Sequence, residues 1–239
     1  MARFSLSAIT PTIISERLKG YKWILAGQMI VMIIFLFFFE LFVRYPFPNW
    51  QQVIVIFLGV ILLIMNYFSY ELIKDLTDIK FFQRLVLILL CLAVLSSIVV
   101  GLNSIGGNTL FYRYVMTGSL LASILSFIIL LYFMLKDIFS EKHDVSYRLW
   151  GSASIYLLIG SVFGLTYSLL ETILPNEFNI NTPLDIFHFI PCYNFSYYTL
   201  AGIDSPFTDF SLLARNISVM ESIFSNLYIV LVVGRLLSR

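Results

Sequence analysis

An all-α membrane protein, with six transmembrane helices and a re-entrant segment between the fifth and sixth, is predicted by three features of this 239-residue chain. Hydrophobic residues make up 59% and charged residues 12%, about half the roughly 25% charged share of an average soluble domain. Apolar runs near the roughly 20 residues needed to cross the hydrocarbon core recur along the chain, separated by short polar breaks. Between the last two runs lies Phe195-Ser-Tyr-Tyr-Thr-Leu-Ala-Gly-Ile-Asp-Ser-Pro206, too short and too polar to cross lipid by itself. Irregular backbone at membrane depth persists only where protein buries it or it lines a water-filled cavity.

The elements follow in order. Residues 1–22 read as a cytoplasmic segment interrupted by Pro11, either a short interfacial helix or a disordered start. Five spans are predicted at Trp23–Val43, Val53–Leu72, Phe82–Leu102, Tyr114–Leu135 and Leu149–Leu170, and a sixth, with several polar residues, at about Phe210–Leu237. Tyr45-Pro-Phe-Pro-Asn49 is a turn, Lys74–Lys80 a charged loop, Asn103–Asn108 a glycine-rich turn and Lys136–Ser146 a polar loop. Only the connection from Glu171 to about Asp209 is long. The domains are thus 1–22, a four-helix bundle over 23–147, and a two-helix unit with its re-entrant loop over 148–239.

Charge sets the expected orientation. Of the fifteen Lys and Arg residues, only Arg44, Arg113 and Arg215 fall on the side opposite the termini. That bias places both termini in the cytoplasm of a multi-pass protein of the plasma (inner) membrane. The outer side instead gathers Glu171, Glu177, Asp185, Asp204 and Asp209, and an acidic mouth concentrates cations. The fourth span has no Lys or Arg between Tyr114 and Leu135, so it lacks the regularly spaced arginines of a voltage sensor. Ser119, Ser123 and Ser126 at its helical spacing suit close packing instead.

Other chemistries find little footing. His143 and His188 have no second ligand at metal spacing, and no serine has a base placed to activate it. Cys91 and Cys192 build neither a disulfide framework nor a metal site. The expectation is a protein that is not an enzyme and takes no cofactor or metal. A net charge of +1 gives no reason to expect a nucleic-acid partner. A secondary transporter would show matching broken helices in both halves, whereas only the second half carries a break.

Two stretches carry a resemblance. Ile155-Tyr-Leu-Leu-Ile-Gly-Ser-Val-Phe-Gly-Leu-Thr-Tyr-Ser-Leu-Leu-Glu171 resembles the outer helix of bacterial potassium-channel-like proteins. Leu213–Leu237 resembles their inner helix, with Leu213-Ala-Arg215, Glu221, Leu227-Tyr228 and Arg235-Leu236 at the family's spacing. The resemblance covers about Arg148 to Leu237. It implies a pore helix and filter between two helices, repeated four times around one axis in a homotetramer.

Against the family filter Thr-(Val/Leu)-Gly-Tyr-Gly-Asp, the best ungapped fit is Thr199, Leu200, Ala201, Gly202, Ile203 and Asp204. Ala201 and Ile203 replace both glycines. A filter that turns successive carbonyls inward needs positive φ, which glycine accepts and a β-branched residue resists. The expected constriction is therefore a ring of Thr199 hydroxyls, some carbonyls and a ring of Asp204 carboxylates, attracting cations without fine sorting by size. Ser218, Glu221, Ser222, Ser225 and Asn226 share one face of the last helix and are the candidate cavity lining. For Glu221, a partner behind the pore helix is an equal alternative. The resulting expectation is a cation channel of weak or altered potassium selectivity. Its partners would be monovalent cations, potassium foremost, the lipid bilayer and copies of itself. The alternative is a non-conducting, channel-derived scaffold or sensor subunit.

Overall fold

Pro11 opens the first helix. The computed structural model describes residues 11–44, 64–103, 109–140, 144–174, 189–203 and 211–237, and every regular element among them is helical. The elements are α1 (Pro11–Arg44), α2 (residues 64–76), α3 (Lys80–Asn103), α4 (Thr109–Ile138), α5 (Val145–Ile173), α6 (Phe189–Ala201) and α7 (Leu212–Leu237). Three stretches among the described residues, Ser15–Phe37, Arg113–Ile138 and Val145–Ile173, are long and apolar enough to cross a membrane.

Helix α1 begins ahead of the predicted span at Trp23, within the segment 1–22. A proline fits the first turn of a helix, where its missing N–H would have no partner and its fixed φ is already helical. Pro11 therefore begins a continuous helix of 34 residues that includes the first span. The loop between the fourth and fifth spans is also tighter than expected. Helix α4 runs on to Ile138, and Asp144 caps α5 by accepting from the Val145 N–H at 2.9 Å. The break before α3 is held by Thr77, whose hydroxyl accepts from the Ile79 N–H and whose carbonyl accepts from the Gln83 amide at 2.7 Å.

Helix α5 is the hub, packing against α1, α4, α6 and α7, while α3 lies on the far side of α4. Its buried face explains why, since it is lined by Gly151, Ser152, Ser154, Gly160, Ser161, Gly164 and Ser168. Small residues let membrane helices approach backbone to backbone. The Ser154 hydroxyl reaches the Tyr21 carbonyl of α1 at 2.9 Å. On the other side of the bundle, Ser119 of α4 donates to the Ala93 carbonyl of α3 at 3.3 Å, so the expected packing role of that serine holds.

A charged cluster ties the ends of α1, α4 and α5. Asp137 pairs with Arg17 at 2.9 Å and accepts from the hydroxyls of Tyr21, at 3.0 Å, and Tyr147. The two tyrosine rings meet edge to face, 5.4 Å between centroids. Three helices meet on one carboxylate. Asp137→Asn keeps one acceptor oxygen for the two tyrosines but turns an amide NH2, a donor, toward Arg17. The expected loss is about 1–2 kcal/mol of stability, read from thermal unfolding in detergent.

Candidate functional site

Helix α6 has 13 residues, about 20 Å of length, and is enclosed on all sides: Ile190 through Tyr197 are all buried. Pro191 sits in its first turn, where the ring is tolerated. Three polar side chains on α6 bond to other helices. Asn194 donates to the Phe35 carbonyl of α1 at 3.2 Å. Ser196 donates to the Gly160 carbonyl of α5 at 2.7 Å, and Tyr197 meets Ser161 at 3.3 Å.

The direction of α6 follows from its neighbours. Gly164 of α5 lies against Tyr193, and Gly160, one turn earlier, lies against Tyr197 and Leu200. The Tyr156 hydroxyl, a further turn down α5, donates to the Leu200 carbonyl at 2.6 Å. Helix α6 therefore runs antiparallel to α5 and ends beside Tyr156, roughly two fifths of the way along that helix. Helix α7 also runs antiparallel to α5, because Glu221 bonds Tyr167 whereas Tyr228 bonds the Ser152 carbonyl at 3.0 Å. Near its start, Ala214 packs with Tyr167, Cys192 and Phe195, back at the level where α6 begins.

The candidate filter residues divide at the end of α6. Thr199, Leu200 and Ala201 form its last turn, with the Thr199 hydroxyl bonded back to the Phe195 carbonyl at 3.0 Å. The Gly202 N–H then donates to the Thr199 carbonyl and the Ile203 N–H to the Tyr198 carbonyl. These two bonds make a Schellman motif, whose left-handed position Gly202 fills at φ 67°. Ala201, Gly202 and Ile203 are exposed, Ile203 at 58%. Asp204 lies outside the described residues.

The five residues proposed to line a cavity also divide. Glu221 is fully buried, accepting from the Tyr167 hydroxyl at 2.7 Å and from the Ser196 hydroxyl at 2.5 Å. Its carboxyl thus lies between α5 and α6. Ser225 is also buried, and its hydroxyl donates to the Ser222 carbonyl. Ser218 and Ser222 are half-buried, and Asn226 is exposed at mid-helix among Val219, Ile223 and Val230, all more than half exposed. The arc of polar residues is wide enough to straddle two environments, and its inner edge belongs to the packing against α5.

Sequence reasoning missed what holds α6 in place. Gly160 and Gly164 mark its seat, and their spacing of four was visible, but not which helix would fill it. Among the described residues no cluster of His, Cys, Asp and Glu has the composition of a metal site. The chain matches no protein-family model, no curated protein and no solved structure.

Proposed function

We propose that this chain is a potassium-channel-like pore-loop subunit that assembles as a homotetramer and passes cations with weak or altered potassium selectivity. The observation that carries this reading is α6. A short helix, enclosed by its own chain, starts beside one end of α5, stops partway along it with an exposed tip, and is followed by a helix that starts again near its own beginning. In a membrane crossed by α5, such a path would make α6 part of a re-entrant loop, which is the reading adopted. Six spans with both termini in the cytoplasm complete the topology.

Asn226 supports the assembly. A polar amide halfway along a spanning helix faces the bundle interior or water, not lipid. In one copy Asn226 is exposed, so a neighbouring copy or a wet cavity has to cover it. Around a fourfold axis the tips Ala201–Ile203, which lie near the level of Asn226 and Tyr228, would face one another, and Asp204 would follow as an acidic ring.

A second reading, a non-conducting scaffold or sensor subunit, has its own support. Three of the six filter-like residues remain helical, so fewer carbonyls are free to replace an ion's water shell, and a bare isoleucine caps the tip. The re-entrant path itself is tested by Ile203→Cys in a chain whose Cys91 and Cys192 are serine. A membrane-impermeant thiol reagent is expected to label it from outside. Labelling only from the cytoplasmic face would remove the re-entrant path.

A further inference from the structure

A groove of about 500 Å³ runs between α1 and α5, within the roughly 300–1,000 Å³ range of small-molecule sites. Its walls are Leu25, Ala26, Met29, Ala153 and Leu157, and it opens sideways from the bundle. Apolar walls suit a hydrocarbon chain. At the end nearest the N-terminus of α1 the character changes. There Lys22 and Trp150 line it, with the Lys22 amine 5.2 Å from the centre of the indole ring. Lys22 is exposed, as is Lys19 one turn earlier, and Trp150 is 41% exposed. The cation of α1 that precedes them, Arg17, is engaged by Asp137.

We infer that this groove holds an acyl chain of an anionic phospholipid, with the lipid phosphate at Lys22 and the chain lying along Ala26 and Ala153. The charge arrangement selects the ligand. A lysine and an exposed tryptophan at the head of an apolar furrow match the level where headgroups meet the hydrocarbon, and the long lysine stem can reach outward to a phosphate. With the orientation set by the basic termini, the lipid belongs to the cytoplasmic leaflet.

The groove also touches the candidate pore. Tyr156 lines it, and the same residue holds the Leu200 carbonyl and stacks on Tyr228 of α7, 6.4 Å between centroids. An occupant pressing on Tyr156 therefore acts on the end of α6. This consequence rests on the proposed pore; the lipid site does not.

The test is native mass spectrometry of the purified protein with phosphatidylglycerol or phosphatidylcholine. One lysine near an anionic lipid corresponds to about a fivefold preference, so the wild-type chain is expected to retain phosphatidylglycerol by about that factor. Lys22→Ala is expected to erase the preference, and Ala153→Phe, which fills the groove, to lower retention of both lipids. Ala26→Phe repeats the second test from the other wall. A preference that survives Lys22→Ala overturns the site, as does lipid retained by both phenylalanine variants. Cross-linking of Ala153→Cys between copies would show that a second chain covers the groove, and would also overturn it. Tyr156→Phe is expected to keep the lipid while removing any lipid dependence of current. If retention behaves as stated and no current is ever seen, the lipid site stands and the pore falls.

Discussion

Replacing Glu221 by leucine is expected to lower stability by roughly 3 kcal/mol, while glutamine in its place costs about 1 kcal/mol or less. The reason is the company that Glu221 keeps. Its carboxyl joins α7 to α5 through Tyr167 and to α6 through Ser196, and none of it is exposed. Leucine leaves the Tyr167 hydroxyl buried without its acceptor and frees α6 from α7. Ser196 has a single proton and two acceptors in reach, the Gly160 carbonyl and Glu221. A glutamine amide can accept from Tyr167 and donate to Ser196, so the serine proton stays with Gly160. Thermal unfolding of the three proteins in one detergent measures both gaps. Equal losses for leucine and glutamine would mean that the carboxyl acts by its charge instead.

Gly164 carries the second large effect. A Cβ on this residue would stand 3.0 Å from the Tyr193 ring and 3.2 Å from the Tyr193 Cα. A ring can turn, but a backbone atom moves only with its helix. Gly164→Ala is therefore expected to cost about 1–3 kcal/mol by overpacking, and Gly164→Leu to leave no folded protein, seen as loss of a monodisperse peak on size exclusion. Gly118 of α4 is the internal control. A Cβ there meets nothing within 4 Å, so Gly118→Ala is expected to leave stability unchanged or slightly raised, since alanine is the better helix former. If the two alanine variants behave alike, α6 does not sit as tightly on α5 as described.

Much of the helical framework was legible in the sequence because apolar run length carries it. The third, fourth and fifth predicted spans all lie inside α3, α4 and α5, and the last helix begins two residues after its predicted start. Where the first helix starts ahead of its predicted span was not legible, for a reason specific to Pro11: proline breaks a helix interior but suits a first turn. The second predicted span, Val53–Leu72, lies partly outside the described residues, and only its last residues fall in α2. Contacts between distant residues were not legible. Arg17 and Asp137 lie 120 residues apart and each looked like an ordinary loop-edge charge, so the cluster that gathers three helix ends left no local signal. Glu221 was ambiguous because helical spacing gives a face, not the neighbour that the face meets. The filter-like run was matched by letters. Leu200 and Thr199 fit that pattern and also continue a helix, which ends only where Gly202 supplies the left-handed turn.

The proposed cation pathway is tested most directly by planar-bilayer recording of the purified protein, with potassium on one side and sodium on the other, alongside Asp204→Asn. The expected result is a current that reverses near zero and falls with the substitution, as an acidic ring of weak selectivity requires. A well-folded tetramer that passes no current under any stimulus, in lipid with or without phosphatidylglycerol, would contradict the pathway and leave the non-conducting subunit in its place.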